Sequence, residues 1–325
     1  MVLFQRKIIY MGKCERTMSQ SPDDLRLGGI PLGSRSEELR MNERDITAEE
    51  VIVENGRVKL LFVRTNDSLG NAGNPLHRIP KFRLLAGKLT GNFEREVQVI
   101  AVAPRSYWKS TNTSPSEAGF LSDYTAVLEW ISTAYPSSPV VLYGHSIGGS
   151  IAVKLLGSLP NGSTSLASRV RGLVLENAFT SMPAMVRAVY PSKWLPYYHL
   201  GPFVFDKWDA LSTIQQCALS PTSRPSALQN VILNPPSILI INSEADELVP
   251  SEMGQDMLGA ASKVHQGLPK PLGTGPRRVV IPGALHDGAF TKRQWKDAMR
   301  MYLAEVANID SYRQCEYASE FGGTS

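Results

Sequence analysis

Between residues 97 and 281 the chain alternates short apolar runs with helix-length amphipathic segments, and this rhythm restricts its fold more than any other feature. The runs at 97–103, 140–143, 172–175, 237–241 and 277–281 are rich in Val, Ile and Leu, the composition of strands buried on both faces. Between and after them the spacing is helical. Phe120, Tyr124, Val127, Leu128 and Ile131 share one face, residues 147–156 form a second segment, and Trp295, Met299, Tyr302 and Val306 line a last one. The order predicts an α/β fold with a mostly parallel central sheet and helices on both faces. Nearer the start, β-branched runs at 50–54 and 58–64 flank Asn55-Gly56, a dipeptide that tolerates positive φ at both positions, and they predict a hairpin.

A chain of 325 residues with no linker-like stretch fits one large domain. Residues 1–47 read as a largely irregular N-terminal extension, 48–308 as the α/β domain and 309–325 as a C-terminal tail. Inside the domain, residues 179–235 break the rhythm with Tyr190, Trp194, Tyr197, Tyr198, Phe203, Phe205 and Trp208 among several prolines. This is a cap-like excursion whose aromatics either pack it onto the core or line a pocket for an apolar substrate. The 34 basic and 30 acidic residues are scattered, so no basic stripe of the kind nucleic acid needs is present. Cys14, Cys217 and Cys315 are far apart, which points to neither a disulfide framework nor a metal site, and a reducing compartment fits best. No apolar run approaches the ~20 residues of a bilayer span, and no signal peptide is expected.

One pentapeptide sits where this rhythm gives it chemical meaning. Gly144-His145-Ser146-Ile147-Gly148 joins the run at 140–143 to the helical segment that follows. A serine on such a strand-to-helix turn is held in a strained backbone conformation, with its hydroxyl exposed at a helix N-terminus and flanking glycines that admit neighbouring backbone. Ser146 is therefore the expected nucleophile. It needs a base, and the chain has five histidines. His145 lies inside the turn and is expected to point elsewhere, His77 and His199 precede the acid candidates, and His265 reads as a surface residue of a helix. His286 follows the run at 277–281 and is the expected base. The loop after 237–241 offers Glu244, Asp246 and Glu247; Asp246 lies deepest and is the expected acid that orients the imidazole. No cofactor is implied.

Several segments together resemble the fungal bud-emergence-protein-like hydrolases and their membrane-associated relatives in the α/β-hydrolase superfamily. They are Phe4-Gln-Arg-Lys-Ile-Ile-Tyr10, Gly70-Asn-Ala-Gly-Asn74, Ser106-Tyr-Trp-Lys-Ser110, the pentapeptide, Glu176-Asn-Ala-Phe179, Asp246-Glu-Leu-Val-Pro250 and His286-Asp287. The resemblance implies an α/β-hydrolase fold with a small cap insertion, a triad of Ser146, Asp246 and His286, and oxyanion donors at the backbone amides of Ile147 and Asn71. It departs from the family in two places. Leu69 stands where a histidine is expected, and only the polar Thr65-Asn-Asp-Ser68 precedes it, so one central strand is missing; residues 13–29 read as an insertion.

These readings lead to a serine hydrolase acting on an ester, thioester or amide, with Tyr107 and Trp108 flanking an apolar acyl group. The expected partner is a small-molecule or lipid-modified acyl substrate. Family resemblance adds membrane association, although the chain is expected to begin too late for an apolar anchor, leaving Phe4, Ile8, Ile9, Arg6 and Lys7 for a membrane surface. Location is thus cytoplasmic or peripheral to a membrane. Two rivals stand beside this reading: a catalytically impaired scaffold of the same fold, favoured by the missing strand, and a dinucleotide- or phosphate-binding α/β protein, for which Gly70 and Gly73 make too sparse a loop.

Overall fold

A computed structural model describes residues 36–41, 44–53, 56–64, 78–88, 96–107, 110, 113–159, 167–194, 196–219, 225–267 and 274–321. They fall into two compact units, Met1–Ala134 and Tyr135–Ser325.

In the first unit, strands β1 (Ser36–Met41), β2 (Arg44–Val53) and β3 (Gly56–Arg64) are followed by helix α1 (Ile79–Leu85). A short ribbon of β4 (Gly87–Lys88) and β5 (Glu96–Val97), strand β6 (Val99–Ala103) and helix α2 (Glu117–Ala134) complete it. The hairpin forms as the Asn55-Gly56 signal predicts, with Val53 opposite Gly56. β6 joins in parallel beside β3, giving the order β1-β2-β3-β6. Strand β1 corrects the irregular reading of that stretch: Ser-Glu-Glu-Leu-Arg-Met is mostly polar, and an end strand needs no apolar run to pair with β2. Arg105, just after β6, clamps Asp123 of α2 with both arms of its guanidinium, at 2.7 and 2.8 Å. Hydrogen bonding to Asp123, opposed by burial, holds the Arg105 pKa above its ordinary value.

In the second unit, β7 (Val140–His145), α3 (Ile147–Ser158), β8 (Val170–Glu176), α4 (Met182–Val189), α5 (Ala210–Leu219) and α6 (Ala227–Leu233) come first. Strand β9 (Ile238–Ser243), helix α7 (Ser251–Gln266), strand β10 (Arg277–Ile281) and helix α8 (Arg293–Phe321) follow. All four strands are parallel, in the order β10-β9-β8-β7. Parallel strands bring their carboxyl ends to one edge, so the loops after β7, β8, β9 and β10 are neighbours there. The five apolar runs read from sequence each contain a strand, and α8 continues through the stretch read as a tail.

Alternation along the strands divides the core. Leu173, Leu175, Ile238 and Ile240 face a cluster with Val153, Leu156, Ile214, Leu228 and Met257 from α3, α5, α6 and α7. The opposite face receives α8, whose Trp295, Met299, Tyr302 and Val306 are all buried at the predicted helical spacing. Tyr302 approaches so closely that a Cβ on Gly172 would fall 2.7 Å from its hydroxyl. That hydroxyl accepts from Leu173 N at 2.8 Å and donates to Ser237 O at 2.6 Å, tying α8 to β8 and to the start of β9. Burial pushes the phenol pKa upward, so the group stays a neutral donor.

β6 ends its sheet and β7 ends the other, and among the described residues no further strand pairs with either. The strand missing from sequence falls at residues 65–69, outside the described residues.

Replacing Tyr302 with Phe removes both bonds and leaves the Leu173 N–H buried without its acceptor, a cost of about 1–3 kcal/mol. Urea unfolding followed by far-UV circular dichroism should show that loss, and an unchanged midpoint would show that the phenol ties nothing together.

Candidate active site

Ser146 occupies the turn between β7 and α3 with φ 54° and ψ −122°. A positive φ is costly for a residue with a Cβ, by about 1–3 kcal/mol, and persists only where the surroundings enforce it. Two contacts enforce it here. Ser146 N donates to Glu176 O at 2.9 Å, fastening the turn to the end of β8, and Gly149 N returns to Ser146 O at 3.0 Å. A Cβ on Gly144 would sit 2.4 Å from Gly148 O, and one on Gly149 would sit 2.5 Å from the Ala178 Cβ. The second glycine of the pentapeptide behaves differently from the sequence expectation: a Cβ on Gly148 would meet nothing within 4 Å. Close approach thus requires Gly144 and Gly149, not Gly148. Ile147 is the first residue of α3, so its N–H has no acceptor within the helix and carries the positive end of the helix dipole.

His286 lies in the loop after β10 and is 5% exposed. Its Nδ1 is 2.8 Å from Asp246 Oδ2 and 3.0 Å from Oδ1. A carboxylate there takes the ring proton on Nδ1, which leaves Nε2 with its lone pair free to accept one. Among the described residues the ring's hydrogen bonds are those to Asp246, and the Ser146 hydroxyl is not among its partners. Burial, the largest single influence, disfavours the charged form of Asp246, but the bond to His286, the Val249 and Leu248 amides and the imidazole's charge together outweigh it. Together they hold the carboxyl below the usual carboxylate range. Both amides bind Oδ1 at 2.8 Å, a turn that fixes the carboxylate before any histidine arrives.

The other two acids of that loop are used as well. Glu247 Oε2 accepts from His286 N at 3.0 Å, and Glu244 Oε2 accepts from Gly283 N at 2.8 Å. With Glu244 N on Ile281 O and Ala245 N on Ala284 O, they lace the loop after β9 to the loop after β10.

Two residues outside the predicted set complete this scaffold. Asn177, fully buried with φ 48°, donates through Nδ2 to His286 O at 2.7 Å and to Ser243 Oγ at 2.9 Å. Its Oδ1 accepts from Ser243 N at 2.7 Å. His145 does not point elsewhere: its Nε2 lies 2.9 Å from His286 O, and the two rings are 4.7 Å apart. A carbonyl only accepts, so His145 carries its proton on Nε2. The available sequence signal for Asn177 was an Asn directly after a strand, a residue that tolerates positive φ. His265 is in the predicted helix but is buried at 7% exposure, against the expectation of a surface residue, because its ring packs over Gly275. Tyr107 belongs to the first unit, where it packs against Phe120 at 5.9 Å and burial pushes its phenol pKa up. Asn71 and Trp108 lie outside the described residues.

Under the turn, Glu176 is completely buried, and its Oε2 accepts from Trp295 Nε1 at 2.8 Å and from the Tyr143 hydroxyl. Among the described residues no group of three His, Cys, Asp or Glu side chains could hold a metal ion.

The model of the Alpha/beta hydrolase family matches residues 75–301. Protein bem46 of Schizosaccharomyces pombe is 31% identical over 206 residues, covering 62% of this chain and 58% of that protein. Lysophosphatidylserine lipase ABHD12 of Gallus gallus is 29% identical over 155 residues, 48% of this chain and 37% of its own length. The match thus spans less than two thirds of either relative. The esterase Pf2001 of Pyrococcus furiosus is similar in fold, with a TM-score of 0.51 at 15% identity over 88% of this chain and 96% of the esterase.

The glycine contacts separate two substitutions that the sequence motif treats alike. Gly144→Ala should lower stability by more than about 2 kcal/mol, since backbone must move, whereas Gly148→Ala should stay within about 1 kcal/mol of the parent. Chemical denaturation of the pair reads the difference, and equal effects would contradict the close packing of the turn.

Proposed function

Because this chain belongs to the alpha/beta hydrolase family, we propose that it is a serine hydrolase that cleaves an ester, thioester or amide through an acyl-enzyme on Ser146. The observation that carries the reading is the Asp246–His286 pair, which leaves Nε2 as a base in the loop beside the Ser146 turn. Nε2 takes the hydroxyl proton as Oγ attacks the substrate carbonyl, and Asp246, held ionised, stabilises the imidazolium that forms. The Ile147 amide receives the developing oxyanion, and the family resemblance assigns the second donor to Asn71; each such donor is worth ~10²–10³ in rate. His286 then protonates the leaving group, and water hydrolyses the acyl-enzyme by the same route. No cofactor enters any step. Tyr107 and Trp108 are assigned to the acyl-binding side, for an apolar substrate.

A second reading, a binding scaffold with impaired catalysis, is favoured by one sequence observation: only the polar Thr65-Asn-Asp-Ser68 and Leu69 precede Gly70, where the family resemblance expects a buried strand and a histidine.

Hydrolysis of acyl esters and thioesters of graded chain length decides between them. The parent should turn over the longer chains, Ser146→Ala should fall to background, and Asp246→Asn should lose about 10⁴ in kcat while remaining folded, because Asn can present the wrong partner to Nδ1. Turnover no greater than that of Ser146→Ala would leave the scaffold reading in its place.

A further inference from the structure

The excursion between β8 and β9 exposes aromatic rings that neither of the sequence-based alternatives explains. Trp208 is fully buried and anchors the excursion, but Trp194 is 95% exposed, Phe205 71% and Phe203 60%. Rings left this far in water neither pack a core nor line an enclosed pocket. They share one small structural piece. Met182 N donates to Lys207 O and Leu211 N to Thr180 O, at 2.8 and 3.1 Å, so the chain from 183 to 206 leaves and returns at one base beside the end of β8. Within it, α4 packs on the 3₁₀ turn Pro196–Phe203, and Phe203 and Phe205 point outward on either side of the buried Val204.

The charge of the same piece is one-sided. Arg187, Lys193 and Lys207 are exposed, and Asp206 is the sole acidic residue between positions 187 and 207. Soluble surfaces rarely group large apolar side chains without a partner. The choice of partner follows from the cations. Lysine is depleted in protein–protein interfaces, whereas a lysine beside tryptophan and phenylalanine suits a bilayer surface, where aromatic rings sit at headgroup level and ammonium groups meet anionic phosphates.

We propose that Trp194, Phe203 and Phe205, flanked by Arg187, Lys193 and Lys207, form a face that docks on an anionic lipid bilayer. Its base lies at the end of β8, on the same edge of the sheet as the loops bearing Ser146, Asp246 and His286. Docking therefore turns that edge toward the lipid and admits an acyl substrate directly from the membrane, a consequence that rests on the hydrolase reading, although the docking itself does not.

Co-sedimentation of the full chain with phosphatidylcholine vesicles, with and without phosphatidylserine, tests the face. The parent should bind the phosphatidylserine vesicles more tightly, with affinity falling as salt rises. Trp194→Ser combined with Phe205→Ser should weaken binding by about tenfold or more, and Lys193→Glu with Lys207→Glu should remove the preference for phosphatidylserine. Ser146→Ala should bind like the parent, and the face variants should keep the parent's turnover of a short soluble ester, so binding and hydrolysis are judged separately. Unaltered binding in both double variants would place lipid contact elsewhere and overturn the proposal. So would an absence of vesicle binding, including the case in which Trp194→Ser with Phe205→Ser changes the oligomeric state instead.

Discussion

The position of the His286 imidazole depends on its own main chain being held from three strands at once. Its N–H is taken by Glu247 from the loop after β9, and its carbonyl receives Asn177 from the end of β8 and His145 from the end of β7. Only then does the ring reach Asp246 at 2.8 Å. A loop residue fixed at one point could swing by more than the small displacement that catalysis tolerates. Here both sides of the peptide are fixed, and of the fixing groups Asn177 is buried, His145 half-buried and Glu247 exposed. The parallel sheet makes this possible because it gathers the ends of β7, β8, β9 and β10 at one edge.

Much of this was legible in the sequence because it rests on local patterns. Apolar runs at 140–143, 237–241 and 277–281 gave strands, and helical spacing gave the buried Trp295, Met299, Tyr302 and Val306. The pairing of Asp246 with His286 followed from the order of loops along one edge. What stayed hidden depended on atoms distant in sequence. Nothing local to Asn177 says that its amide will meet a carbonyl 109 residues later. The same holds for His145, which a reading of the turn alone sends the wrong way. Glu244 and Glu247 were visible as acids, but their task, holding loop backbone rather than the ring, is set by the register between β9 and β10. Strand β1 was missed because an end strand of polar composition gives no hydrophobic signal.

The two faces of the excursion divide along the same line. Trp208 was read within a group of aromatics that either pack on the core or line a pocket; among the described ones it is wholly buried, while Trp194 stands in solvent. Composition gives the count of rings, and only the fold decides which of them meet water. The electrostatic balance at Asp246 is similarly a product of the fold: burial alone would raise its pKa, and it is the bond to His286, backed by the Val249 and Leu248 amides, that keeps the carboxylate charged.

The central claim is that Ser146 is a nucleophile made reactive by the Asp246–His286 pair. Its most direct test is reaction of the folded protein with a fluorophosphonate, followed by intact mass and peptide mapping. One phosphonyl adduct per chain is expected, located on Ser146 and formed far more slowly in Asp246→Asn. An adduct on another residue, or none on folded protein, would contradict it.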